Sequence, residues 1–277
     1  MNWWQDLIVA NPMLIETKRF MRRFLGAHAM TNWIAVLIIG ILLSMVVGLI
    51  YIYEFNYIGA SMAALLTFSI LVPIMLHGAV AGERERRSWD MLLVAPVTSS
   101  QIVAGKFMGA ATAIGFTALA FGAAILISYF PGGDKLPTGT MILLVIASFA
   151  YCLAAFTLLV STRSRRSMTA LGIVYGCLFL GLIVLPALLA TTGADNSESA
   201  FYLNPYYAIT QINLERYDNF TPPSFPEGAP VLGRNSYVVY GFAHVGVYLG
   251  LAALCLYLAT IALNSAGWED PMLKRRK

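Results

Sequence analysis

The chain has 277 residues, 58% of them hydrophobic and only 12% charged, and its mean hydropathy is +0.71. Soluble globular domains are about half apolar and about a quarter charged, so this composition excludes them and requires an integral membrane protein. The net charge of +4 matters less than where the positive residues stand.

Ahead of the first basic cluster there is no apolar core and no small-residue cleavage site, so no secretory signal is expected. Asn11-Pro12 reads as an N-cap followed by proline at the first helical position. Over residues 12–25 a helical wheel gathers Met13, Leu14, Phe20, Met21, Phe24 and Leu25 on one arc. Lys18, Arg19, Arg22 and Arg23 fall on the opposite arc. That pattern predicts an amphipathic helix lying in the membrane interface, its basic side against anionic lipid headgroups.

Six apolar runs follow, at residues 32–53, 57–81, 100–130, 139–162, 168–192 and 237–264. Each is near or above the ~20 residues that cross a bilayer as a helix. The third is longer than needed, which predicts tilt or projection from the membrane. Pro73 is expected to kink the second run, and Pro186 to bend or end the fifth. Fifteen of the eighteen lysines and arginines fall on one side of this arrangement, leaving Lys135, Arg216 and Arg234 on the other. The bias predicts a multi-pass protein with both termini cytoplasmic, and the expected location is a bacterial inner (plasma) membrane. Gly-x-x-x-Gly spacings at Gly105/Gly109, Gly172/Gly176 and Gly246/Gly250 allow close helix approach, within the chain or between subunits.

Between the second and third runs, on the basic side, lies a cytoplasmic segment at residues 83–99 that changes character along its length. Glu83, Arg84, Glu85, Arg86 and Arg87 are charged in succession. Ser88 suits an N-cap and Asp90 a first turn, so residues 89–95 read as about two turns of helix carrying Trp89, Leu92 and Leu93. Pro96 stops it. Thr98 and Gln101 have the spacing of a capping box for the next helix. Two readings stand: a docking element for a cytoplasmic partner, or a basic loop with an amphipathic anchor.

On the other side, residues 193–236 form the long connection. Asn204-Pro205 again resembles a cap and first turn, and Tyr202, Tyr206, Tyr207 and Tyr217 suit a helix at the outer interface. This loop either gates an exit or caps the ends of the fifth and sixth spans.

The chemistry that is missing narrows the function. Within the six runs almost no charged residue lies away from the ends, which argues against proton- or sodium-driven transport. His28, His77 and His244 are scattered without metal-site spacing, and Cys152, Cys177 and Cys255 all sit in apolar runs as packing residues. There is no phosphate loop, no nucleophile elbow and no His-Glu-x-x-His pair. A bundle without an energy source of its own points to work delivered from outside.

The pattern Glu-x-Glu-x-x-Ser-x-Asp-x-Leu-Leu-x-x-Pro-Val-x-x-x-x-Ile-Val-x-Gly-Lys, from Glu83 to Lys106, resembles the permease subunits of ATP-binding cassette (ABC) type-2 transporters. The likeness implies an all-α membrane protein of six transmembrane helices, with an N-terminal amphipathic elbow helix and a short cytoplasmic coupling helix. It implies that the chain is not an enzyme and binds no cofactor, ATP and Mg being held by a separate ATPase subunit. Further expected partners are a second permease subunit (in a homo- or heterodimer) and membrane lipids, but no nucleic acid. On this likeness the ATPase-docking residues are Glu83, Glu85, Arg86, Arg87, Ser88, Trp89, Asp90, Leu92, Leu93 and Pro96, and the elbow residues are Lys18, Arg19, Arg22 and Arg23. Arg87-Ser88 replaces the family's common Gly-Thr, and Trp89 stands where an aliphatic residue is usual. The expected function is export of a substrate driven by the ATPase; a non-transporting anchor or mechanotransmission subunit would look the same.

Overall fold

The structure, a computed structural model, describes residues 57–86, 97–129, 136–191, 204–214 and 236–268. The expected elbow (12–25), first span (32–53) and coupling helix (89–95) lie outside these residues. Among the described residues the fold is entirely helical, and five stretches are long and apolar enough to cross a membrane.

In chain order the elements are α1 (Tyr57–Leu76), α2 (Ala81–Glu85), α3 (Ser99–Tyr129) and α4 (Leu136–Arg163). After a short turn come α5 (Ser167–Phe179), a π-turn (Leu180–Val184) and α6 (Leu185–Thr191), then α7 (Pro205–Leu214) and α8 (Ser236–Trp268). Described helices overlie the third to sixth apolar runs to within a few residues of their ends. The second is the exception. It closes at Leu76 and, after a break, a separate helical turn follows in α2, where the sequence suggested only a charged strip.

At the centre stands α4, which packs against α1, α3, α5, α7 and α8. Its Ile142, Val145, Ile146, Ala150, Leu153, Ala154, Ala155 and Leu158 are all buried. In lipid, apolar side chains gain little by leaving the bilayer for a neighbouring helix, so contact between helices rests on close packing. Small residues serve that need: Ala63, Ala64, Ala150, Ala154 and Ala155 are fully buried. Phe68 of α1 and Phe121 of α3 fill the larger spaces, with ring centroids 6.1 Å apart. Several buried hydroxyls are satisfied within their own helices, as in Thr67 to the Ala63 carbonyl (2.7 Å) and Thr157 to the Leu153 carbonyl (2.7 Å).

α5 lies at the edge and keeps much of its surface outward. Met168, Phe179, Leu180 and Ile183 are each more than half exposed. A Cβ added at Gly172, Gly176, Gly246 or Gly250 would meet nothing within 4 Å. Two of the three Gly-x-x-x-Gly pairs thus do not bring helices together within the described chain.

Candidate functional site

Two places in the fold gather more polar contacts than packing requires. The first is at the end of the bundle that carries Arg84, Lys106, Arg163, Arg165 and Arg166. There the backbone between α1 and α2 leaves helical geometry, and its polar groups need partners in a buried place. Ser161, in the last turn of α4, supplies them. Its Oγ donates to the His77 carbonyl (2.8 Å) and accepts from the backbone N–H groups of Val80 and Ala81, both at 3.1 Å. Val80, at the N-cap of α2, makes no side-chain cap of its own, so a serine 81 residues away does that work.

α2 then sends three consecutive side chains to three different spans. Glu83 Oε1 pairs with Lys106 Nζ of α3 at 2.6 Å, with side chains only 23% and 9% exposed. Arg84 Nη1 donates to the carbonyls of Thr162 (2.6 Å) and Ser164 (3.4 Å), where α4 ends. Those carbonyls have no partner within a helix and carry the negative end of its dipole, which a guanidinium suits. Glu85 Oε2 accepts from Ser167 Oγ (2.8 Å) and Ser167 N (3.3 Å), at the start of α5, where Arg166 offers no side-chain cap. A carboxylate at that positive helix end has the matching sign. The Ser167 hydroxyl and amide hold the Glu85 carboxyl below its ordinary range, with Arg166 and Arg86 adding smaller pulls the same way.

Of the docking residues expected from the sequence, Glu83 and Glu85 are therefore engaged with the chain's own spans. Arg86 forms the exposed C-cap of α2, its N–H bonded to the Gly82 carbonyl at 3.0 Å. Arg87, Ser88, Trp89, Asp90, Leu92, Leu93 and Pro96 lie outside the described residues, as do Lys18, Arg19, Arg22 and Arg23. A cavity of about 700 Å³ borders the same place, lined in part by His77, Glu83, Glu85, Arg86 and Lys106. Beyond it the capping box is present: Thr98 N–H donates to Gln101 Oε1 (3.0 Å) and Gln101 N–H to Thr98 Oγ1 (3.3 Å). Ser161, Thr162 and Ser164 escaped the sequence reading. A run of hydroxyls at a helix end beside Arg163, Arg165 and Arg166 was the available hint, but nothing local says which backbone they meet.

The second place is the turn around Pro186. A proline offers no N–H to the carbonyl four residues back, here Leu182, and the helix widens into the π-turn just before it. Asn204 answers that deficit: its Nδ2 donates to the Leu182 carbonyl at 3.1 Å. Its Oδ1 accepts from Tyr206 N–H at 3.0 Å and so caps α7, as Asn204-Pro205 predicted. α7 packs against α1, α4 and α8 with Ala208, Ile209 and Ile212 fully buried. The Tyr206 hydroxyl bonds Ser69, well along α1. The fifth span accordingly runs on past Pro186 to Thr191 by way of a π-turn rather than ending at the proline.

Among the described residues no group of three or more His, Cys, Asp or Glu could hold a metal ion, and the three cysteines are free thiols. What the arrangement does is tie α2 to α3, α4 and α5.

Comparison with known proteins agrees with this architecture. The profile of the ABC-2 family transporter protein matches residues 64–268. The Probable ABC transporter permease protein NosY of Stutzerimonas stutzeri is 29% identical over 178 residues, covering 57% of this chain and 63% of that protein. The match thus spans less than two thirds of that relative's length. With apolar spans, one strongly basic end, and a profile running from within α1 to the end of α8, this chain belongs to the ABC-2 family of transporter proteins.

Proposed function

We propose that this chain is the membrane subunit of an ABC exporter, and that a separate ATPase subunit docks on the segment following α2. On this reading the basic end faces the cytoplasm, as the lysine and arginine bias requires. Residues 89–95 form the coupling helix, with Trp89, Leu92 and Leu93 as its apolar anchors. Closure of the ATPases on ATP pushes this helix, and the spans carry the displacement to the other end of the bundle. The observation that carries the reading is the anchoring of α2 to α3, α4 and α5 immediately before the docking segment, through Lys106, Thr162 and Ser167. A loop serving only to meet lipid headgroups would have no use for such bracing. The open apolar face of α5, with Gly172 and Gly176 unobstructed, supports a second membrane subunit beside this one.

The test is to replace Leu92 and Leu93 together with Asp and purify the chain in detergent with its ATPase. Association and stimulated ATP hydrolysis are both expected to be lost. Unchanged association and hydrolysis would remove the docking assignment.

A further inference from the structure

We infer that Glu83, Arg84 and Glu85 are positioning residues bonded to the membrane subunit's own helices, not contacts for the ATPase. They form a three-way brace that delivers one push to α3, α4 and α5 together. The inference rests on the proposed docking of an ATPase at residues 87–96 and deepens it.

Helix geometry sets what the turn can reach. Successive residues on an α-helix point about 100° apart, so three in a row fan over about 200° of its circumference. Three neighbouring long polar side chains on one turn can therefore reach three separate elements, which is what the distances record: Lys106 at 2.6 Å, the Thr162 carbonyl at 2.6 Å and Ser167 Oγ at 2.8 Å. Each contact has the matching sign for its target: acid to lysine, guanidinium to the carbonyl end of α4, and acid to the amide end of α5. All three are charge-assisted, the stronger class of hydrogen bond. Ser161 holds the other end of the same turn, through the Val80 and Ala81 amides.

A docking carboxylate would instead have to be available to the partner. Glu83 is largely covered, and its Oε1 is held against a lysine that is itself only 9% exposed. Surrendering that pair to an ATPase would leave a mostly buried cation without its carboxylate, an arrangement that is strongly unfavourable. The economical design keeps the brace intact and lets the ATPase meet residues beyond Arg86. α2 then moves as a unit with the three helix ends, because displacing it alone would break charged contacts on three sides.

The experiment separates holding the ATPase from being driven by it. Glu83→Gln, Lys106→Gln and the charge exchange Glu83→Lys with Lys106→Glu are each purified with the ATPase, and ATP hydrolysis by the complexes is measured in lipid vesicles. Both single variants are expected to retain the ATPase within about twofold of the unmodified chain. Stimulated hydrolysis falls roughly fivefold or more, at the low end of coupling between linked sites. The exchanged pair recovers most of it, which a loss of fold would not. Retention that falls in step with hydrolysis would overturn the inference and return Glu83 to the docking surface. Retention and hydrolysis both unchanged would overturn it as well, showing the pair to be idle. Should Glu83→Gln fail to accumulate in the membrane, Glu85→Gln, at an exposed residue, supplies the same two readouts, and each outcome carries the same meaning. An unmodified chain that holds no ATPase refutes the proposed function itself, and does so before any substitution is made.

Discussion

Replacing Ser161 with alanine removes one oxygen and takes a partner from three backbone groups. Ser161, Val80 and Ala81 are each 0% exposed, so the two amides that now donate to Ser161 Oγ would be left in the protein interior. An orphaned buried donor costs about 1–3 kcal/mol, so the two amides together set a loss of roughly 2–6 kcal/mol, before counting the bond to the His77 carbonyl. Ser148→Ala is the matched control. Ser148 is 4% exposed, but its Oγ only donates back to the Val145 carbonyl of its own helix at 2.9 Å. Removing it orphans no amide, and alanine favours the helix, so the cost is about 1 kcal/mol or less. Ser161→Thr keeps the hydroxyl but crowds a methyl into a filled site, and falls between the two. Reversible unfolding in mixed detergent micelles, followed by circular dichroism, measures the three differences. Ser161→Ala and Ser148→Ala agreeing within about 0.5 kcal/mol would refute the claim that Ser161 caps α2 from a neighbouring span.

Two further outcomes follow from the contacts. Asn204→Ser retains an oxygen able to cap α7 but loses the amide donor to Leu182, whereas Asn204→Ala loses both; in the same unfolding assay alanine is expected to cost about 1 kcal/mol more than serine, the usual worth of an N-cap, and equal losses would show that the cap contributes nothing. Glu85 titrates below the ordinary 4.5 of a glutamate because Ser167 stabilises its carboxylate. Its tie to α5 is therefore fully present above that ordinary value and is lost only as pH falls through the lower folded value. Carbon-13 titration of labelled Glu85 would read the midpoint directly, and a midpoint at or above the ordinary value would contradict the contact.

What could be read from the chain alone was whatever is decided within a turn or two of helix. Apolar runs located the second to sixth spans because crossing lipid demands a length of apolar residues regardless of neighbours. The Thr98/Gln101 box and the Asn204-Pro205 cap were legible because each bond closes over two or three residues. The Glu83 to Lys106 pattern disclosed the family and offered the two glutamates as docking residues. Their partners were decided by tertiary structure. Glu83 meets Lys106 23 residues on, Glu85 meets Ser167 82 residues on, and Ser161 reaches back 81 residues to Val80. Whether a given turn of α4 faces α2, lipid or another span depends on how the helices are rotated and stacked, and no local pattern of residues encodes that. The burial of α7 has the same origin. Its tyrosines suit an interface by composition, but the space left among α1, α4 and α8 is what admits Ala208, Ile209 and Ile212.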